Sequence, residues 1–327
     1  MNENRSGVLL LNLGGPETLE DVRPFLYRLF SDPGIIQIKN PALRRLLAWM
    51  ISRTRAKKSG NLYRQIGGGS PLRRITENQA AALETFLNAG GTSIRVYVGM
   101  LCWKPFIDEA FAKILADGVR RLALLPLFPQ YSETTTGACF RRIGELDRRW
   151  NLSSKIQMFR VESWYENPLY LDAMARMIRT ELERFPAEER KKVHLLYSAH
   201  SLPERYVLEG DPYLDETRKC VALINDRLDS SHDFSLAFQS RVGPVKWLTP
   251  STESVLRELA RRGVRRILVV PVSFVSDNIE TLQELDIAYR KLAMELGITE
   301  FRRTEALNTH PKFIEALAGI SRQYLQI

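Results

Sequence analysis

At 327 residues and 44% hydrophobic content, the chain carries enough apolar material for two medium domains or one large one, without staples. Its three cysteines, Cys102, Cys139 and Cys220, lie far apart with no CxxC pair, which speaks against a disulfide framework, a zinc knuckle or a sequence-local iron-sulfur site and favours a reducing compartment. The formal charge of +9 comes from 47 Lys and Arg against 38 Asp and Glu, yet no RNP-type aromatic strand, zinc finger or basic zipper accompanies it, so nucleic acid is not an expected partner.

In chain order, Met1 to Gly7 is polar and lacks the basic and apolar regions of a signal peptide. No run is long enough to span a bilayer, and the expectation is a cytoplasmic protein. Val8 to Leu13 reads as a strand, followed by the turn Gly14-Gly15-Pro16, with Pro16 suited to a first helical turn. Backbone amides there could hold a phosphate, although a tight structural turn is the commoner outcome. In Pro41 to Ile51, Leu43, Leu46, Leu47, Met50 and Ile51 recur at helical spacing, as in a core-facing helix. With Trp49 and the following Arg53, Arg55, Lys57 and Lys58, the segment 41–58 equally fits a helix resting on an anionic bilayer or lining the lip of an apolar pocket. The stretch Ile66-Gly67-Gly68-Gly69-Ser70-Pro71 lacks GxGxxG spacing and follows a helix-like segment, so it is neither a dinucleotide fingerprint nor a P-loop.

A duplication organises the remainder. Gly118-Val-Arg-Arg-Leu-Ala-Leu-Leu-Pro-Leu-Phe128 recurs 145 residues later as Gly263-Val-Arg-Arg-Ile-Leu-Val-Val-Pro-Val-Ser273, and the same offset carries Pro105 onto Pro250. Helical segments of equal length, 106–117 and 251–262, precede the two glycines. Each glycine suits the left-handed position that stops a helix, and the apolar runs after them suit strands buried on both faces of a parallel sheet. With the strand patterns at 8–13 and 193–197, the alternation predicts an α/β fold of two Rossmann-like, doubly wound parallel-sheet halves related by internal duplication. The halves are expected at 1–165 and 166–327, with a C-terminal helix that could cross back. Ligands in such sheets bind beyond the carboxyl ends of the strands, which marks the loops 13–18, 99–105, 128–137, 198–204, 239–248 and 273–280, and two facing halves would form a cleft. Arg-Arg doublets at 44/45, 73/74, 120/121, 141/142, 148/149, 261/262, 265/266 and 302/303 read mainly as solvated helix faces.

Two of those loops carry side chains suited to chemistry. Strand 193–197 runs into Ser198-Ala199-His200-Ser201-Leu202-Pro203, placing an imidazole at a strand end, where it could move a proton or bind a transition metal, or simply bond to backbone at a helix start. After strand 267–272, a helix starting near Ser276 would align Asp277, Glu280 and Glu284 as one carboxylate stripe. Capping explains part of that pattern, and carboxylates with one imidazole would suit ferrous iron in transit.

These residues, taken together, resemble the ferrochelatase family. The resemblance rests on Leu10 to Leu19, Tyr63 to Pro71, Pro129 to Ser132 with Thr135 to Gly137, Ser198 to Pro203 with Gly210 to Tyr213, Gln239 to Pro244 with Trp247-Leu248, and Ser276 to Leu282, in the family's order across nearly the whole chain. It implies a chelatase-like fold and a lyase of haem biosynthesis that inserts Fe²⁺ into a porphyrin. It implies that His200 and Glu280 face each other across the porphyrin cleft and handle both the iron and the pyrrole protons, with Asp277 and Glu284 on an acidic path. Arg55, Tyr63 and Ser70 would contact the porphyrin or its propionates, and Leu13, Trp247 and Phe274 would line the pocket. Fe²⁺ enters as substrate and no tightly bound cofactor is expected; the cysteine extension that holds a [2Fe-2S] cluster in some members has no counterpart after Cys220. Protoporphyrin IX is favoured over coproporphyrin III by the apolar lip at 41–58, which also offers a peripheral membrane contact. Many members carry His where this chain has Asn278, and Leu101, Cys102 and Lys104 also depart from familiar members. Asn278 keeps open a second reading, a porphyrin- or haem-binding protein that does not catalyse.

Overall fold

The computed structural model describes residues 5–36, 38–228, 232–243 and 245–326; Met1 to Asn4 of the N-terminal reading and Pro244 of the Gln239 motif lie outside the described residues. The chain divides into two compact units, 1–163 with 314–327 and 164–313.

In the first unit, strand β1 (Ser6–Asn12) is followed by helices α1 (Val22–Ser31), α2 (Pro41–Arg64) and α3 (Leu72–Asn88), then β2 (Ile94–Met100), α4 (Ile107–Ala116), β3 (Arg121–Pro126), α5 (Thr136–Trp150) and β4 (Gln157–Arg160). The second unit runs α6 (Pro168–Leu182), β5 (His194–His200), α7 (Glu204–Leu208), α8 (Tyr213–Leu228), β6 (Phe234–Gln239), α9 (Thr252–Arg261), β7 (Arg266–Pro271), a π-helix (Glu280–Tyr289), α10 (Arg290–Glu295) and β8 (Glu300–Arg303). The last helix, α11 (Pro311–Leu325), lies mostly in the first unit, where Arg121 donates to the Leu325 carbonyl at 2.6 Å.

Each unit holds a four-stranded parallel sheet, ordered β2-β1-β3-β4 and β6-β5-β7-β8. The two central strands of each sheet are apolar on both faces because helices cover both, and Val8, Leu9, Leu10 and Leu11 match Leu195, Leu196 and Tyr197 in full burial. The 145-residue repeat is carried through to the atoms. The bounds of α4 and β3 shifted by 145 are those of α9 and β7, and Gly118 and Gly263 both take positive φ, 70° and 82°, at the helix stops. The units differ in the connection after their first strand: α1, α2 and α3 stand in the first unit where the second has only α7 and α8.

Helix α2 corrects the core-facing reading of 41–51. Its inward face consists of Ala48, Ser52, Gly60 and Tyr63, whereas Leu43, Leu46, Trp49 and Met50 are 43–54% exposed. The small side chains of Ala48, Ser52 and Gly60 let this long helix lie close to its neighbours, while Leu43, Leu46, Trp49 and Met50 point outward.

Candidate active site

In an open parallel sheet the crevice forms where consecutive connections leave in opposite directions. In the second unit the chain leaves β5 toward β6 on one side and β7 toward β8 on the other, so the switch lies between the carboxyl ends of β5 and β7. His200 is the last residue of β5, and the loop 272–279 after β7 leads into Glu280. Strand order alone thus brings together the two side chains singled out in the sequence.

His200 is held from several directions. Its backbone N–H donates to Ser273 Oγ at 2.8 Å, and its carbonyl accepts from the Tyr213 hydroxyl at 2.9 Å. The ring of Phe274 stands edge-on, with centroids 6.2 Å apart. The ring nitrogen Nδ1 lies 2.6 Å from the Ser201 carbonyl oxygen. A carbonyl can only accept, so Nδ1 carries the hydrogen and, in the neutral ring, the lone pair is on Nε2. That is the tautomer in which a histidine can take a proton or meet a metal ion with its outward nitrogen.

Glu280 opens the π-helix. Burial pushes its carboxyl above the ordinary 4.5, the positive charge of a protonated His200 opposes the shift, and the nearby Glu284 carboxylate adds to it. The pair is therefore electrostatically linked: charging one makes charging the other easier. Glu284 is fixed by four donors, Gln239 Nε2 at 3.0 Å, the Ser240 N–H at 2.9 Å, the Ser240 hydroxyl and the Tyr289 hydroxyl at 3.2 Å. Gln239 joins the layers beneath: its Nε2 also donates to the Glu280 carbonyl at 3.0 Å, while its Oε1 accepts from the buried Ser198 hydroxyl at 2.6 Å. Sequence reading placed Gln239 at a ligand-side loop without giving it this role. The role shows only in the structure, where the amide is fully buried at the end of β6 and so needs several partners.

The expected carboxylate stripe is split. The helix starts at Glu280, not near Ser276, and it is wound as π, a form that is rare and concentrated at functional positions. Asp277 stays in the preceding turn, where its carboxylate meets Arg303 at 3.0 Å, Asn308 Nδ2 at 2.8 Å and the Thr281 hydroxyl at 2.9 Å. Asn278 is likewise committed, since its Oδ1 accepts from the Thr281 N–H at 3.1 Å and its own N–H donates to Thr281 Oγ1 at 3.0 Å. Asn278 caps the helix here. Glu280 and Glu284 remain neighbours, because four residues make slightly less than one π turn.

Trp247 bridges to Pro203 in an antiparallel contact, which sets it beside the strand-end segment that follows His200; its Nε1 is buried and has no hydrogen-bond partner among the described residues. The other predicted contacts belong to the first unit. Leu13 follows β1, and its carbonyl accepts from the Cys102 N–H at 2.8 Å. The two glycine motifs interlock: the Ser70 N–H donates to the Pro16 carbonyl at 2.7 Å, and a Cβ on Gly15 would stand 2.7 Å from Ser70 Cβ. A Cβ on Gly69 would collide with the Glu17 backbone, so neither position admits a side chain. Tyr63 is only 4% exposed, and its carbonyl accepts from the Gly68 N–H at 2.9 Å, so it braces the glycine loop. Arg55 is half-buried with its guanidinium 5.8 Å from the Phe30 ring centre. Of the remaining histidines, His194 sits at the opposite end of β5, buried and bonded to Ser235 at 2.9 Å, with burial lowering its pKa to about 4. It is a neutral core histidine.

A protein-family model described as Ferrochelatase matches residues 5–325. The chain belongs to the ferrochelatase family. A ferrochelatase of Gloeothece citriformis is 53% identical over 317 residues, covering 97% of this chain and 81% of that protein, and one of Rippkaea orientalis is 52% identical over 327 residues, covering 99% and 83%. Among solved structures, SirB from Bacillus subtilis with Fe³⁺ aligns with a TM-score of 0.58 at 11% identity, over 98% of this chain and 96% of that one. At that identity the likeness shows the chelatase fold alone.

Proposed function

We propose that the protein inserts Fe²⁺ into protoporphyrin IX to form protohaem, with iron as a substrate, and that His200 and Glu280 are the groups that touch the reacting centre. The reaction releases two N–H protons from the macrocycle as the metal binds the four ring nitrogens. The observation that carries the reading is the linked pair at the switch point: an imidazole whose Nδ1 is tied to a carbonyl, leaving Nε2 as its acceptor, and a neighbouring carboxyl whose pKa burial raises above the ordinary value. Phe274 and Trp247 offer apolar surface to the ring beside that pair, and Leu13, Ser70 and Arg55 are the contacts proposed from the first unit, with Tyr63 supporting Ser70. Asp277 is proposed to hold the turn before Glu280, and Glu284 to be the second acidic group near the iron.

No resident cofactor is included in this reading. Cys102 and Cys139 are buried thiols whose pKa values are pushed up by burial, Cys139 to about 12. Among the described residues, no three His, Cys, Asp or Glu side chains gather as a metal cage. Free thiols suit the reducing cytoplasm.

Anaerobic mixing of the purified protein with Fe²⁺ and each porphyrin, followed by the Soret band, tests the proposal. Conversion of protoporphyrin IX is the expected result, with coproporphyrin III turned over more slowly. Faster conversion of coproporphyrin III would reassign the substrate. Tight porphyrin binding with no insertion would instead leave a carrier of porphyrin or haem.

No helix among the described residues is long and apolar enough to cross a membrane. The exposed row Leu43, Leu46, Trp49 and Met50, flanked by Arg45, Arg53, Lys57 and Lys58, supports a peripheral contact with an anionic lipid surface. The protein is expected to co-sediment with phosphatidylglycerol vesicles and not with phosphatidylcholine vesicles, and Leu46→Glu with Trp49→Glu to release it. Equal sedimentation of parent and variant would remove α2 from the contact.

A further inference from the structure

We infer that Arg303 is a positioning residue for Glu280, acting as a clip that ties the turn before the π-helix to the body of that helix on either side of Glu280. The inference rests on the reading of Glu280 as a working carboxyl. A π-helix is a poor backbone state by itself, so one of 10 residues needs bracing from outside. Arg303, the last residue of β8, supplies it. Its guanidinium grips Asp286 in a two-pronged contact, Nε to Oδ1 at 3.0 Å and Nη2 to Oδ2 at 2.7 Å. Its third nitrogen, Nη1, donates to Asp277 Oδ1 at 3.0 Å and to the Thr304 carbonyl at 2.9 Å. Asp277 precedes Glu280 by three residues and Asp286 follows it by six, so one side chain spans the segment that carries the carboxyl.

The arrangement is buried and over-determined. The Arg303 side chain is 6% exposed, against 34% for Arg302, because alternation along the strand turns one member of the doublet inward. Asp277 is held a second time by Asn308, whose Oδ1 accepts from the Asp277 N–H at 2.9 Å and whose Nδ2 donates to the carboxylate. The geometry is specific to arginine. A lysine ammonium retains the charge but is a single point of donation and cannot meet both carboxylates and grip one of them with two parallel bonds.

Arg303→Lys, made in the full chain alongside Glu280→Gln, tests this. In Arg303→Lys, kcat for iron insertion is expected to fall about tenfold to a hundredfold, the scale of a small misplacement at the reacting centre, with porphyrin Kd from fluorescence quenching within about twofold. Hydrogen exchange across 280–289 is expected to quicken while exchange across 194–200 stays as in the parent, a local signature that general destabilisation would not give. Unchanged exchange across 280–289, or faster exchange with unchanged kcat while Glu280→Gln is inactive, would overturn the inference alone. Parent-like turnover in Glu280→Gln would overturn the reading of Glu280, and this inference with it.

Discussion

Replacing His200 with alanine is expected to lower the rate of iron insertion by 10²–10⁴-fold, the range attached to a lost proton-transfer group, and to leave porphyrin affinity within about threefold. The asymmetry follows from how the ring is held. Its support comes through the backbone, from Ser273 and Tyr213, and through Nδ1 on the Ser201 carbonyl, none of which is presented to a ligand. Only Nε2 is left to act, so truncation removes the acceptor while leaving β5, Phe274 and Trp247 to receive the macrocycle. Single-turnover Soret measurements at saturating porphyrin, with a separate binding titration by fluorescence quenching, separate the two quantities. Turnover equal to the parent would take His200 out of the chemistry; loss of binding in step with turnover would make it a porphyrin contact instead.

The parts of the fold legible in the sequence were those fixed by short-range pattern. A glycine stop followed by an apolar run marks a helix ending and a buried strand, and two copies at one offset located α4, β3, α9 and β7 with the turns between them. The strand-end placement of His200 followed from a separate apolar run at 193–197. What was hidden depended on tertiary partners. The spacing of Asp277, Glu280 and Glu284 fits an α-helical face, and nothing local announces that Asp277 is drawn off by Arg303 and Asn308 or that the helix winds as π. Arg303 itself was masked by its doublet, because a charged pair reads as solvated until the strand's alternation is known. In α2 the leucines set the apparent period, whereas the packed face is made of small residues that a hydrophobicity pattern underweights.

Glu280→Gln is expected to move stability and turnover in opposite directions, and this separates a group kept for chemistry from one kept for folding. Burial is the largest influence on the carboxyl and raises its pKa from 4.5; Glu284 adds to the rise and the charge on His200 opposes it. The folded state therefore binds this proton more tightly than the unfolded chain. As pH climbs past about 4.5, the unfolded chain ionises first, so this group's contribution to stability declines until the folded carboxyl has ionised as well. Glutamine keeps the shape and cannot ionise. The variant should thus melt above the parent at neutral pH, with the gap closing as pH falls toward 4.5, while iron insertion drops by on the order of 10²-fold or more. Thermal melts at several pH values with the anaerobic Soret assay read both effects. A variant that melts with the parent at every pH would mean that ionising this partly buried carboxyl costs the fold nothing, and full activity would show that its proton is not needed. Lower stability at neutral pH would make Glu280 a structural partner of its neighbours first and a chemical group second.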